Sequence, residues 1–102
     1  MYTVHVKTYN FEWDETKAQS NLKKHSVSFE EAESVFYDEQ ALIYYDPDNS
    51  EGEDRFLLLG SSFKLKQLVV CHCLRDDESK IRIISARKAD KRESKAYREG
   101  MK

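Results

Sequence analysis

Between Gln67 and Lys88 the chain reads QLVVCHCLRDDESKIRIISARK, and no other stretch limits the fold so narrowly. Leu68, Val70, His72 and Leu74 alternate with Val69, Cys71 and Cys73, the period of two that marks an extended strand. After the polar break Asp76-Asp77-Glu78-Ser79, Ile81, Ile83 and Ser85 alternate in the same way with Arg82, Ile84 and Ala86. Two strands joined by a charged turn predict an antiparallel hairpin around which the remainder must pack. If even positions pair with even, His72 and Arg82 share a face; a slip of one residue puts them on opposite faces. Alternation alone leaves both registers open.

A chain of 102 residues predicts a single domain, residues 1–102, burying roughly 60–70% of its unfolded surface around one core. Its formal net charge of −2 conceals a division, because residues 1–54 carry −9 and residues 55–102 carry +7. Either the second half meets a polyanion or an acidic partner, or the two halves neutralise each other across the fold. No apolar run approaches the roughly 18 residues of a membrane span, and the opening MYTVHVKTYNFEW lacks the basic start and apolar core of a secretory signal. The expectation is a cytoplasmic protein with no membrane contact. Cys71 and Cys73 are two positions apart on one strand, a poor spacing for an ordinary disulfide and consistent with a reducing compartment.

Taken in order, Tyr2 to Trp13 reads as a strand with Val4, Val6, Phe11 and Trp13 facing inward. Asp14 can cap a helix to about Lys24, its thin apolar face made by Ala18 and Leu22. Ser28-Phe29-Glu30-Glu31 has capping-box order and opens a second helix to about Tyr37, with Phe29, Ala32, Val35 and Phe36 on its core stripe. Ala41–Tyr45 and Arg55–Ser61 read as strands around the acidic turn Asp46–Gly52, whose spacing is wrong for a calcium loop. Asp90-Lys91-Arg92-Glu93 starts a last helix that Gly100 can end. This order implies an α+β fold, a small antiparallel sheet packed by two N-terminal helices plus a C-terminal helix.

The residues Phe11-Glu12-Trp13-Asp14, Lys17, Asn21-Leu22, Lys24-His25 and Val27-Ser28-Phe29-Glu30-Glu31-Ala32, then Arg55-Phe56, Val69-Val70, His72 and Ile81-Arg82-Ile83-Ile84-Ser85-Ala86-Arg87-Lys88, resemble the BrnT family of bacterial toxins. The resemblance runs from Phe11 to about Tyr97, and FEWD near the start with IRIISARKA near the end is a specific pair. It implies a fold similar to RelE-type ribonucleases, RNA cleavage as the toxic activity, and a cognate BrnA-type antitoxin that reaches promoter DNA on behalf of the complex. Ser26 departs from the family pattern, where glycine is expected; a positive φ there would strain a serine.

Metal-free RNA cleavage needs a base for the 2′-hydroxyl, cations for the charged phosphorane and an acid for the leaving oxygen. His72 is the one histidine of the basic half and could serve as acid or base; Arg82 is the expected transition-state clamp. Arg55, Arg87, Lys88 and Lys24 are the expected RNA ligands. The plainer alternatives are that His72 is a hydrogen-bonded core residue, that Arg82 ends in a salt bridge to Glu78, and that the last helix is a solvated face. Cys71-His72-Cys73 does not make a zinc site, since neighbours on a strand point to opposite sides; no metal or other cofactor is expected. The leading expectation is an endoribonuclease toxin, and its rival a non-catalytic partner of the antitoxin in promoter repression.

Overall fold

A computed structural model describes residues 9–100. Five strands, β1 (Asn10–Glu12), β2 (Leu42–Tyr45), β3 (Arg55–Ser61), β4 (Gln67–Arg75) and β5 (Lys80–Lys88), form one sheet in the order β1-β5-β4-β3-β2. The helices are α1 (Glu15–His25), α2 (Phe29–Val35) and α3 (Lys91–Gly100), and Pro47–Asn49 makes a short 3-10 turn. The sheet is mixed rather than wholly antiparallel as expected, because β1 runs parallel to β5 with Asn10 opposite Lys80 and Glu12 opposite Arg82. Parallel pairing needs a long crossover, and everything from α1 to β4 supplies it. The earlier part of the expected first strand, Val4 and Val6 included, lies outside the described residues.

Local chemistry sets the helix ends. Asp14 Oδ1 accepts from Lys17 N at 3.1 Å and Ser28 Oγ from Glu31 N at 3.0 Å, so each satisfies an N–H that the first helical turn would otherwise leave unpaired. Asp90 and Glu93 complete a reciprocal box, with Glu93 N donating to Asp90 Oδ1 at 2.8 Å and Asp90 N to Glu93 Oε1 at 2.9 Å. Ser26 ends α1 in the left-handed region at φ 58°, its N–H donating to Leu22 O, the conformation at which the family pattern favours glycine. The inward face of α1 differs from expectation: Ala18 and Asn21 are buried, while Leu22 is exposed. Helical neighbours lie three or four apart, and here the polar residue at the three-residue spacing turns inward.

Helices cover both faces of the sheet. On one face α1 and α2 bury Ala18, Val27, Phe29, Ala32 and Val35 against Leu58, Leu68, Val70, Ile83 and Ala86, with Phe11, Trp13 and Phe36 packed alongside. On the other, α3 places Tyr97 and Ala96 over Leu59, Val69, Leu42 and Leu57. A latch holds α3 in place: Tyr97 Oη donates to Asp38 Oδ2 at 2.6 Å, and the same oxygen accepts from Ser61 N at 2.7 Å. Desolvation tends to raise the Asp38 carboxyl, but bonds from Ser61 N, Tyr97 Oη and Gln40 N outweigh it and hold it below its ordinary value. Burial and the carboxylate push the Tyr97 phenol up to about 12.

The β4–β5 turn carries strain, because Asp76, Asp77 and Glu78 all have positive φ (53°, 55° and 70°). Aspartate tolerates the left-handed region better than glutamate does. Glu78→Gly is therefore expected to raise stability by about 0.5–1 kcal/mol, less the entropy that glycine adds to the unfolded chain. Urea denaturation checks it; a loss above about 1 kcal/mol would mean that the turn is not strained at Glu78.

Candidate nucleic-acid interface

The register of the hairpin determines what its side chains can do together. From Leu68 opposite Lys88 to Cys71 opposite Ser85 the pairing is regular; then His72 lies opposite Ile83 and Cys73 opposite Arg82. Ile84 is thus an extra residue, a bulge that reverses the facing of every β5 side chain on its N-terminal side. His72 faces α2, and Arg82 faces the opposite side with Cys73. The histidine and arginine expected to act together are separated by the sheet.

His72 is 2% exposed, set edge-on to Phe36 with ring centroids 4.8 Å apart and tilted against Phe56 at 6.0 Å. Its Nδ1 lies 3.2 Å from Val70 O, which can only accept, so that nitrogen carries the proton. Burial pushes the imidazole below its ordinary value near 6.5, and the bond to Val70 O opposes this to a smaller extent. Below about pH 6.5 the unfolded chain then binds a proton that the folded chain refuses. Stability therefore falls as pH drops from there toward the depressed folded value, and the penalty is absent above it. His72→Phe should flatten this part of a stability-against-pH curve; an unchanged curve would contradict a buried, neutral His72.

The opposite face is built in rows across the strands. Nearest α3 is Leu42–Leu59–Val69–Arg87, next Tyr44–Leu57–Cys71–Ser85, and then Arg55–Cys73–Arg82–Glu12. Arg75 opposite Lys80 follows. Packing by α3 stops at the rows carrying Leu59, Val69 and Leu57, so the cationic rows lie beyond the helix. Three carboxylates stand among the cations, Asp76 pairing with Lys80 at 3.4 Å and two others each bridging two of them. Glu12 lies 3.5 Å from Arg82 Nη1 and 4.0 Å from Lys80 Nζ, and Glu53 lies 3.3 Å from Arg75 Nη1 and 3.9 Å from Arg55 Nη2. Arg82 thus finds Glu12 across the parallel strand, not Glu78 in the turn. Among the described residues, Arg55 Nε is a buried donor without a hydrogen-bond partner, a costly condition, while the side chain as a whole is partly exposed beside Glu53.

The other expected ligands stand elsewhere. Arg87 is engaged by Glu93 through paired bonds of 2.7 and 2.9 Å, which fasten the start of α3 to β5. Lys88 shares a face with Leu68 at the far end of the sheet, and Lys24 is exposed in the last turn of α1. Reading the sequence missed Arg75, Lys80, Glu12 and Glu53; the parity of Arg75 with Cys73 was the available signal for the first. Cys71 and Cys73 face away from His72, so the three do not converge on one ion. Burial raises both thiols, which leaves them poor nucleophiles.

Residues 13–93 match the family model described as the ribonuclease toxin, BrnT, of type II toxin-antitoxin systems. No curated protein matches the chain. Among solved structures, the crystal structure of the Brucella abortus ribonuclease toxin, BrnT, is similar, with a TM-score of 0.63 and 23% identity over 82% of this chain and 100% of that one. That likeness supports the fold, helices and mixed sheet together, while the family match spans α1 through the first turn of α3. The chain belongs to the BrnT family of ribonuclease toxins of type II toxin-antitoxin systems.

Proposed function

We propose that residues 1–102 act as one cytoplasmic toxin domain, of RelE-like fold, that cleaves RNA without a metal ion on the open cationic face of the sheet. A BrnA-type antitoxin holds it inactive and carries the complex to promoter DNA. The observation that carries this reading is the row Arg55–Cys73–Arg82–Glu12, which sets two partly exposed guanidinium groups on one face of the sheet. Forked guanidinium donors suit phosphate oxygens. Arg82 clamps the phosphorane and Arg55 holds a neighbouring phosphate oxygen. Glu12, once Arg82 turns toward RNA, is the proton acceptor nearest the clamp and takes the 2′-hydroxyl proton, and water supplies the proton that the leaving 5′-oxygen needs.

In this reading His72 serves packing. Its ring fills the space between Phe36 and Phe56, and its neutral form suits a buried site. Among the described residues, no helix is long and apolar enough to cross a membrane. The test is cleavage of end-labelled single-stranded RNA by purified protein in excess EDTA, with and without antitoxin. Cutting that survives EDTA and stops on antitoxin addition is the expected result. Cutting abolished by EDTA and restored by a divalent ion would overturn the metal-free mechanism. If no RNA is cut, with or without ribosomes, the non-catalytic reading gains.

A further inference from the structure

Between α3 and the edge of the sheet lies a cleft of about 270 Å³, floored by Leu57, Leu59 and Val69 and walled by Tyr44 on one side and by Arg92, Ala96 and Glu93, whose carboxylate is paired with Arg87, on the other. Its floor belongs to the same sheet face as the cationic rows. Along β3, Leu59, Leu57 and Arg55 all point to that face, and two residues of strand span about 7 Å. The cleft therefore opens one residue pair away from the unpartnered Arg55 Nε, with Arg92 on its helical wall. We propose that this cleft receives one unstacked nucleobase of the RNA whose phosphates rest on Arg55 and Arg82.

The occupant follows from the charge around the cleft. An apolar slot with an aromatic wall suits the π-face of a base, and cations on both sides suit the phosphates that precede and follow it. An apolar side chain of a protein partner would fill the slot as well, but would match those flanking cations only with acidic residues on both sides of it, whereas every nucleotide carries its phosphates there. Tyr44 is 45% exposed, so its ring is available for stacking. Base stacking is tolerant of sequence, and the cleft accordingly recognises that a base is present rather than which base it is.

This inference rests on the proposed RNA-binding face, and the experiment separates the two. Wild-type protein is titrated with a short single-stranded RNA and with a matched series in which one position at a time lacks its base. One position is expected to show about tenfold weaker binding without its base. Tyr44→Ala, and separately Ala96→Leu, which fills the cleft from its half-exposed helical wall, should each abolish that difference. Full-length RNA and its base-less counterpart then bind the variants alike. RNA binding by the wild type with no sensitive position, or sensitivity that persists in both variants, would overturn the cleft and leave the cationic face standing. Absence of RNA binding by the wild type would overturn both. If Ala96→Leu spares RNA binding but abolishes neutralisation by the antitoxin, the cleft seats a protein side chain and the nucleobase proposal fails.

Discussion

Asn21→Ala is expected to cost about 3–5 kcal/mol of stability, from hydrogen bonds that no other group can replace. Asn21 Nδ2 donates to Val27 O at 2.9 Å and to Ala86 O at 2.8 Å, and its Oδ1 accepts from Ala86 N at 3.0 Å. Pairing with β1 ends at Arg82, so beyond it the free edge of β5 needs another partner. The side-chain amide supplies one, matching a peptide group donor for acceptor. It also ties the joint between α1 and α2 to the sheet through Val27. Alanine would leave these backbone groups buried, since Val27 and Ala86 are both fully covered. Asn21→Asp should be nearly as damaging, because a carboxylate would face two carbonyl oxygens. Urea unfolding followed by circular dichroism measures the change; a loss below about 1 kcal/mol would show that the amide is not holding this edge.

Arg55→Ala combined with Arg82→Ala is expected to reduce RNA cleavage by about 10²–10³-fold or more with little loss of stability. Both side chains are partly exposed, and their ion pairs, 3.9 Å to Glu53 and 3.5 Å to Glu12, are long. Surface pairs of this kind contribute about 0–1 kcal/mol. Salt dependence gives a second readout. If each arginine neutralises a phosphate, the slope of log affinity against log salt should become shallower by about 0.7 for each one removed. A full-strength enzyme after both substitutions would place the chemistry elsewhere. Arg87→Ala should instead cost stability, since its guanidinium donates through Nη1 and Nη2 to the two carboxylate oxygens of Glu93.

Much of this architecture was legible because local rules govern it. Asp14, Ser28 and Asp90 each sit where a helix needs an acceptor, and each accepts. The hairpin strands occupy nearly the span that alternation indicated, and Ser26 has the positive φ that its place in the pattern implied. What stayed hidden is non-local. Ile84 looks like any other β-branched strand residue, and nothing in its neighbours marks it as inserted, yet it decides that His72 and Arg82 face apart. Three residues of β1 run parallel to β5 across a long separation in sequence, which no window of hydropathy reports. That pairing brings Glu12 to Arg82. Leu22 fits an apolar stripe better than its neighbour Asn21, yet burial went to the residue with hydrogen bonds to make.

The candidate site was legible in part for the same reason. Arg82, the expected clamp, and Arg55, an expected ligand, meet through Cys73 in one row, whereas Arg87 is paired with Glu93 in α3. Lys24 and Lys88 lie away from the row. Charge segregation along the chain foretold a basic second half, but only strand order gathers Arg55, Arg75, Lys80 and Arg82 on one face.

The most direct measurement is the rate of RNA cleavage by His72→Phe, with the variant verified as folded, beside wild type and Arg82→Ala. Phenylalanine preserves the ring between Phe36 and Phe56 and removes every proton that histidine could transfer. The account predicts that His72→Phe cleaves within about threefold of wild type while Arg82→Ala loses at least about a hundredfold. A folded His72→Phe without activity, beside an active Arg82→Ala, would contradict it and return the chemistry to the side of the sheet covered by α1 and α2.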